Sequence, residues 1–144
     1  MYFKNQKFLV AGLSKSGTAA AEFLLRRGAV TYLYDDVSGG AVEKNMRALE
    51  EKGAVCVREE TLNAALNECD VLVLSPGIPI DHALPVAFRK AGKRIVGESE
   101  LGCLFLRAPL FAVTGTNGKT TTVTMLDEIF RAAGEKSVAC GNIG

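Results

Sequence analysis

The chain has 144 residues, of which 48% are hydrophobic and 23% charged, and its formal net charge at pH 7 is +1. This length accommodates one full-sized domain, or a small domain and part of another. The composition is that of an ordinary globular protein, which excludes a disordered or collagen-like chain. The small net charge provides no basic field for DNA or an anionic membrane. We therefore expect neither as a partner, and any phosphate must be bound by a local loop.

The cysteines and the single histidine form no metal-ligand pattern. Cys56, Cys69, Cys103 and Cys140 contain no C-x-x-C pair, and His82 is the only histidine. Reduced structural thiols are predicted, with Cys56 and Cys140 buried inside apolar runs. No apolar run approaches the ~20 residues of a membrane span, and the amino terminus lacks a signal-peptide pattern. A soluble, cytoplasmic protein is expected.

In chain order, the first part of the sequence alternates short apolar runs, which predict buried strands, with longer amphipathic runs, which predict helices. Strands are predicted at residues 7–12, 29–34, 54–57, 71–74 and 94–96. Helices are predicted at residues 14–28, 42–52, 62–67 and 84–90. Two prolines and a glycine interrupt regular structure at residues 75–79. This alternation predicts an α/β domain over residues 1–97, with a doubly wound parallel sheet between two layers of helices.

A second unit is predicted from residue 98 onward. Its expected elements are a linking helix at 98–106, a strand at 110–114, a helix at 120–133 and a strand at 137–139. A single crossover of this kind cannot close a hydrophobic core. Residues 98–144 are therefore expected to be the first part of a larger, truncated domain, and the chain to be a fragment of a longer protein.

The strongest functional signal is the glycine loop at residues 114–121, which lies between an apolar run and an amphipathic helix. Glycines allow successive backbone N–H groups to face one oxyanion, and the helix adds its positive end. Lys119 is expected to be catalytic and to reach the β- and γ-phosphates, and the Thr120 hydroxyl is expected to bind Mg²⁺. The bland alternative, a glycine turn with an exposed lysine, requires this placement to be accidental. The residues predicted to bind ATP are Gly115, Thr116, Asn117, Gly118, Lys119, Thr120 and Thr121.

A weaker glycine loop follows the first predicted strand, at residues 12–17. It approximates G-x-G-x-x-G with Ser14 at the second glycine, which counts against NAD but not against a less tightly held diphosphate. Asp35 ends the second strand, where dinucleotide-binding folds place the acid that contacts the ribose. A structural explanation remains equally open, with tight helix–strand packing at Gly17 and an N-capping acid at Asp35.

The motifs of the whole chain resemble those of the Mur ligases, in particular the D-glutamate-adding branch. The shared motifs are G-L-x-x-S-G at 12–17, S-P-G-I at 75–78, G-x-x-E-L at 97–101, T-G-T-N-G-K-T at 114–120 and G-N-I-G at 141–144. The form G-T-N-G-K-T is also similar to that of folylpolyglutamate synthases. Both families use ATP to join an amino acid to a carboxylate through an acyl phosphate.

The resemblance implies a Rossmann-like domain that binds the UDP of UDP-N-acetylmuramoyl-L-alanine, followed by the beginning of a P-loop ATPase domain. It implies an ATP- and Mg²⁺-dependent ligase of peptidoglycan precursor synthesis that adds D-glutamate to this substrate, acting as a monomer. This chain alone is expected to be inactive. Asp36-Val37 stands where the family commonly has a basic residue near the uracil. The residues expected to contact the UDP substrate are Lys15, Ser16, Asp35, Asp36, Ser75, Pro76, Gly77 and Asn142.

Alternative functions remain open at this point. The L-alanine-adding Mur ligases typically have histidine in place of Asn117, and a folate-type ligase explains the second loop but not the S-P-G-I segment. A dinucleotide-binding regulatory module explains only the first loop. Among single residues, His82 is predicted to be a solvent-exposed helix start. Glu98 and Glu100 are predicted to begin the linking helix, with a catalytic role as the alternative.

Overall fold

The computed structural model describes residue 3, residues 5–37 and residues 39–141. Contacts divide the chain into two compact units, Met1–Leu106 and Arg107–Gly144. The strands of the first unit are β1 (Lys7–Ala11), β2 (Val30–Tyr34), β3 (Val55–Cys56), β4 (Val71–Leu74) and β5 (Arg94–Gly97). Its α-helices are α1 (Lys15–Arg26), α2 (Gly40–Glu50), α3 (Leu62–Glu68), α4 (Ala83–Lys90) and α5 (Glu98–Cys103).

The five strands form one parallel sheet in the order β3-β2-β1-β4-β5, which confirms the predicted doubly wound α/β fold. Strands β2 and β3 follow β1 on one side of it. The chain then crosses to the other side of β1, where it forms β4 and β5. The order of strands therefore reverses between β1 and β4, and such a switch point is where open parallel sheets bind ligands. Ala11 lies beside both Tyr34 and Leu74, so the carboxyl ends of β1, β2 and β4 share one edge.

The sheet is buried on both faces, which explains why its strands are continuous apolar runs. Within β1, Phe8 and Val10 belong to the core cluster on one face, and Leu9 and Ala11 belong to the cluster on the other. Helices α1 and α5 contact the sheet on the first face, and α3 and α4 contact it on the second. Side chains alternate between the faces of a strand, so each apolar run supplies both cores.

The first compact unit extends beyond residue 97, where the predicted first domain ends. Helix α5 buries Leu101, which is 2% exposed, in the first core cluster. Phe105 packs edge-on against Phe3 and Phe23, with ring centroids 4.8 Å apart in both pairs. The predicted linking helix is thus part of the first unit, because its apolar face has a partner there.

The described part of the second unit contains one helix, α6 (Lys119–Ala132), within one residue of its predicted bounds. The strands predicted at residues 110–114 and 137–139 are wrong, since both segments are irregular. A strand requires a hydrogen-bonded neighbour, and the described residues of this unit place none beside them. Helix α6 buries no residue, and its Met125 and Ile129 are both 59% exposed.

All four cysteines are free thiols, as predicted. Cys69 is buried, and burial raises the pKa of its thiol to about 12, which keeps it protonated. The expectation that Cys140 is buried is wrong, because the strand predicted just before it does not form and leaves the thiol exposed. Among the described residues, no helix combines the length and the hydropathy needed to cross a bilayer.

Candidate functional site

The first glycine loop begins at a close approach between β1 and the segment after β4. Gly12 has φ +87°, a left-handed conformation that favours glycine. A Cβ added to it would lie 2.6 Å from the Cβ of Ser75, well inside van der Waals contact. Gly12 is therefore required both by its backbone conformation and by the packing of the two loops at the switch point.

Gly17 provides a second close approach, between helix α1 and the loop that precedes it. A Cβ at this position would lie 1.8 Å from the carbonyl oxygen of Gly12. Only glycine can occupy this position of α1 in this arrangement. The prediction of tight packing at Gly17 is confirmed, and its partner is the carbonyl of the loop residue Gly12.

The backbone of Leu13 is held by long-range hydrogen bonds on both sides. Its N–H donates to Asp35 Oδ2 at 2.7 Å, and its carbonyl accepts from Asn45 Nδ2 at 3.0 Å and from Thr18 Oγ1 at 3.1 Å. The other oxygen of Asp35 accepts from the N–H of Val37 at 2.9 Å. Asp35 therefore binds the glycine loop and its own turn, not the start of a helix, so the N-capping alternative is wrong.

The backbone amides that follow Leu13 lack acceptors. Among the described residues, the N–H groups of residues 14–17 make no hydrogen bond. Ser14 is the N-cap of α1 and makes no side-chain capping bond, and the side chains of Lys15 and Ser16 are exposed beside it. Unpaired amides at the positive end of a 12-residue helix, with a lysine nearby, form a site suited to an anion.

Asp36, at the same edge of the sheet, is held by two side chains. Tyr34 donates its hydroxyl to Asp36 Oδ1 at 2.6 Å, and His82 Nε2 lies 3.2 Å from Asp36 Oδ2. The hydrogen bond to Asp36, assisted by burial of the ring, raises the pKa of Tyr34 to about 12. The carboxylate therefore has a fixed orientation at the carboxyl end of β2.

His82 begins α4, as predicted, and its Nδ1 accepts from the N–H of Leu84 at 3.3 Å. It was predicted to be solvent-exposed, which is wrong, since its side chain is only 32% exposed and contacts Asp36. Nδ1 accepts in this arrangement, so Nε2 is the ring nitrogen that faces Asp36. The Asp36–His82 contact links two segments far apart in sequence, and no local motif signals it.

The remaining predicted residues of the first unit lie beside the glycine loop. Ser75 is buried, and its N–H donates to the carbonyl of Ala11 at 3.1 Å, while Pro76 and Gly77 are exposed. Glu98 begins α5, as predicted. Its Oε1 is buried without a hydrogen-bond partner among the described residues and lies 3.2 Å from where a Cβ on Gly17 would be.

Among the described residues, the loop of the second unit is held by hydrogen bonds within itself. Gly118 is the N-cap of α6 in the left-handed conformation, with φ +78°. Lys119 Nζ donates to the carbonyls of Gly115 at 2.5 Å and Thr116 at 3.0 Å, so the lysine folds over the loop. Among the described residues, the N–H groups of residues 115–121 make no hydrogen bond. The loop thus offers a longer run of unpaired amides than the first one does.

The second loop also supplies hydroxyl groups. The Thr122 hydroxyl donates to Gly118 O and the Thr124 hydroxyl to Thr120 O, both at 2.9 Å. The Thr120 hydroxyl makes no hydrogen bond to the described residues. No cluster of three or more His, Cys, Asp or Glu suited to a metal ion occurs in the described part of the chain. Asn142, predicted to contact the UDP substrate, lies outside the described residues.

Comparison with known sequences gives a consistent result. Residues 6–97 match the family model for the Mur ligase MurD-like N-terminal domain. A UDP-N-acetylmuramoylalanine–D-glutamate ligase of Acidobacterium capsulatum is 42% identical over 144 residues, which cover 100% of this chain and 31% of that protein. The enzyme of the same name from Geobacter sp. (strain M21) is 38% identical over 144 residues, with 100% and 32% covered. The chain therefore spans about a third of the length of these relatives.

Solved structures show the same fold. A murein peptide ligase from Psychrobacter arcticus superimposes with a TM-score of 0.61 at 18% identity, over 96% of this chain and 31% of that one. The UDP-N-acetylmuramate:L-alanyl-gamma-D-glutamyl-meso-diaminopimelate ligase from Neisseria meningitides gives 0.59 at 19% identity, over 90% and 40%.

A parallel sheet in this strand order, with a glycine loop at its switch point, defines a Rossmann-like α/β domain of the kind found in these ligases. The chain belongs to the Mur ligase family, within its MurD-like branch.

Proposed function

We propose that the chain is part of an ATP-dependent ligase of peptidoglycan precursor synthesis that adds D-glutamate to UDP-N-acetylmuramoyl-L-alanine. The observation that carries the proposal is the 42% identity to a D-glutamate ligase over the whole chain, since this match includes both glycine loops. A regulatory module that senses a dinucleotide would have no use for the second loop.

In this proposal the first unit binds the UDP end of the substrate. The amides of residues 14–17 and the positive end of α1 receive the diphosphate, assisted by Lys15 and Ser16. The strand ends supply the remaining contacts: Asp35 and Asp36 lie toward the uridine, and Ser75, Pro76 and Gly77 pass close to the diphosphate or ribose. Asn142 is proposed as a further contact of the same substrate, by its match to the family motif.

The second loop binds the triphosphate of ATP. Its amides, over Gly115, Thr116, Asn117, Gly118, Lys119, Thr120 and Thr121, point toward no protein acceptor among the described residues, which fits an anion with several oxygens. Lys119 moves from the loop carbonyls to the β- and γ-phosphates. When bound, Mg²⁺ neutralises charge on the phosphates, and the Thr120 hydroxyl, with no partner among the described residues, fits its coordination.

The reaction consists of two transfers. The alanyl carboxylate attacks the γ-phosphorus of ATP, and the bond from this phosphorus to the β-phosphate oxygen breaks. ADP departs, and the substrate now carries an acyl phosphate. The amine of D-glutamate then attacks the acyl carbon, loses a proton and expels inorganic phosphate, which forms the amide. Positioning and charge neutralisation dominate the catalysis of phosphoryl transfer, so the loop amides and Lys119 carry this chain's share. We place this activity in the cytoplasm, in a monomeric enzyme, and expect this chain alone to bind without ligating.

Calorimetric titration of the chain tests the proposal, with UDP-N-acetylmuramoyl-L-alanine, NAD and ATP added separately. We expect the UDP ligand to bind and NAD to bind more weakly or not at all. In K15A the affinity for the UDP ligand should fall a few-fold, because a charge near the diphosphate is lost. K90A serves as the control, because Lys90 is an exposed lysine at the carboxyl end of α4. Preference for NAD would overturn the ligase assignment. A chain that binds ATP but does not bind the UDP ligand would favour a folate-type ligase.

A further inference from the structure

The two peptide units around Leu13 have fixed and opposite orientations. In a trans peptide the C=O and the N–H of the following residue point in opposite directions. The Leu13 N–H points to Asp35, so the Gly12 carbonyl points the other way, where it meets Gly17. The Leu13 carbonyl points to Asn45, so the Ser14 N–H points away from α2. The direction of the first unpaired amide is therefore set by the partners of Leu13.

We propose that Asn45 is a positioning residue of the first glycine loop, and that it aims the Ser14 amide at the diphosphate. This role rests on the proposed binding of UDP by the first unit. Asn45 is half-buried on α2, and its Nδ2 lies 3.0 Å from the Leu13 carbonyl across 32 residues of sequence. Among the described residues, the one hydrogen bond of its side chain goes to the loop backbone, so it acts on the ligand through Leu13.

Asn45 differs from the other donor to the same carbonyl. Thr18 lies in the first turns of α1, at the end of the loop itself, so its hydroxyl moves with the loop. Asn45 belongs to a different helix, which packs against α1 and β3. It therefore anchors the loop to a separate helix, as Asp35 anchors the loop to the end of β2. A donor anchored outside the loop reduces the ordering that the ligand would otherwise have to impose.

The test compares UDP with uridine on the whole chain by calorimetry, for wild type, N45L and N45A. Leucine keeps the approximate size of asparagine and alanine removes the amide, and neither can donate to the carbonyl or adds a charge. We expect the affinity for UDP to fall about tenfold in both variants, since one hydrogen bond that orders the site is lost. The affinity for uridine should stay within about twofold of wild type. K44A, an exposed neighbour on α2, should change neither affinity.

The discrimination between the two ligands separates positioning from general support of the fold. Equal losses of UDP and uridine affinity, or wild-type UDP affinity in both variants, would overturn the proposal. If N45L does not fold, N45A provides the same comparison without a new bulky apolar side chain. Wild-type protein that binds neither ligand would refute the proposed function, and the positioning role with it.

Amide hydrogen exchange tests, without any ligand, whether Asn45 restrains the first glycine loop. The Leu13 N–H is bonded to Asp35, and we expect its exchange in N45L to accelerate at least several-fold, because the peptide loses its restraint on the carbonyl side. Exchange at Leu24, a buried residue in the last turn of α1, is the internal control. Unchanged exchange at Leu13 would show that Asn45 does not hold the loop, and would overturn the proposal independently of any binding result.

Discussion

The two glycine loops of this chain are similar in sequence pattern but are held in different ways. The loop at residues 12–17 is fixed by partners from β2, α2 and the segment after β4, which are Asp35, Asn45 and Ser75. The loop at residues 114–121 is restrained by Lys119, whose partners are three and four residues away. The first is thus organised by tertiary structure, and the second by its own backbone.

The difference follows from what surrounds each loop. The first loop lies where three buried strands end, and its neighbours are packed on both faces of a sheet. The second loop precedes a helix that buries no residue. Both loops therefore present unpaired amides, and among the described residues long-range hydrogen bonds fix the backbone direction at the first loop.

The largest expected effect concerns the second loop. In a full-length ligase that carries this chain, we expect K119A to lower turnover by on the order of 10²–10³-fold, the loss typical of removing one transition-state donor. Steady-state assay of phosphate release measures it. K136A, an exposed lysine outside the loop, is the matched control and should retain normal turnover. The side chain of Lys119 is exposed, so its removal should leave thermal stability unchanged. A near-normal rate in K119A would refute the catalytic role.

An intermediate effect is expected from the same glycine-to-alanine change in both loops. G17A should lower the free energy of unfolding by about 3 kcal/mol, because the new Cβ overlaps the carbonyl of Gly12. G118A should cost only about 1 kcal/mol, since no atom lies within 4 Å of its Cβ and only the left-handed backbone is strained. Chemical denaturation of the 144-residue chain measures both. Equal costs would contradict the contrast between the two loops.

The smallest effect concerns Tyr34, at the edge of the first site. Its folded pKa is raised to about 12 by the bond to Asp36, whereas an unperturbed tyrosine has a pKa of about 10. The neutral phenol is therefore the form stabilised by folding. The contribution of the Tyr34–Asp36 hydrogen bond to the free energy of unfolding is fully present below pH of about 10. It is lost as the pH rises toward 12.

Spectrophotometric titration of tyrosinate checks this prediction. We expect Y34F to lack the ionisation near pH 12 and to lose stability less steeply than wild type between pH of about 10 and 12. The pKa of Tyr32 is also raised, by its hydrogen bond to Glu68, so the control Y32F should lose that ionisation and keep the one of Tyr34 near pH 12. If Y34F titrates like wild type, Asp36 is not held by Tyr34.

Sequence patterns predicted the first unit closely and the second less well. The strand at Val71–Leu74 has its predicted bounds, and the other strands differ from prediction by one or two residues at their ends. Strands buried on both faces produce continuous apolar runs that are easy to recognise. At residues 110–114 and 137–139 the same kind of run predicted strands that do not form. An apolar run indicates that a segment can form a strand, but the strand forms only where a neighbouring strand is available for hydrogen bonding.

The candidate site was predicted in the same uneven manner. Lys15, Ser16 and the S-P-G-I segment were located by motif, and they lie where the carboxyl ends of β1 and β4 meet. Asn45 was not predicted, because a single asparagine on an amphipathic helix has no spacing that distinguishes it. His82 was assigned to the start of a helix, and its contact with Asp36 could not be foreseen, since the two residues belong to separate segments.

The sequence by itself determined the family, the order of the elements in the first unit and the two glycine loops, because these depend on local composition and on spacing along the chain. Only the tertiary structure decided that Gly17 passes against the carbonyl of Gly12, and that Asp35 and Asn45 hold Leu13. The contacts of Leu13 join residues that are distant in sequence. Their geometry depends on how the sheet and helices pack, and the direction of an amide is set by the partner of the neighbouring carbonyl.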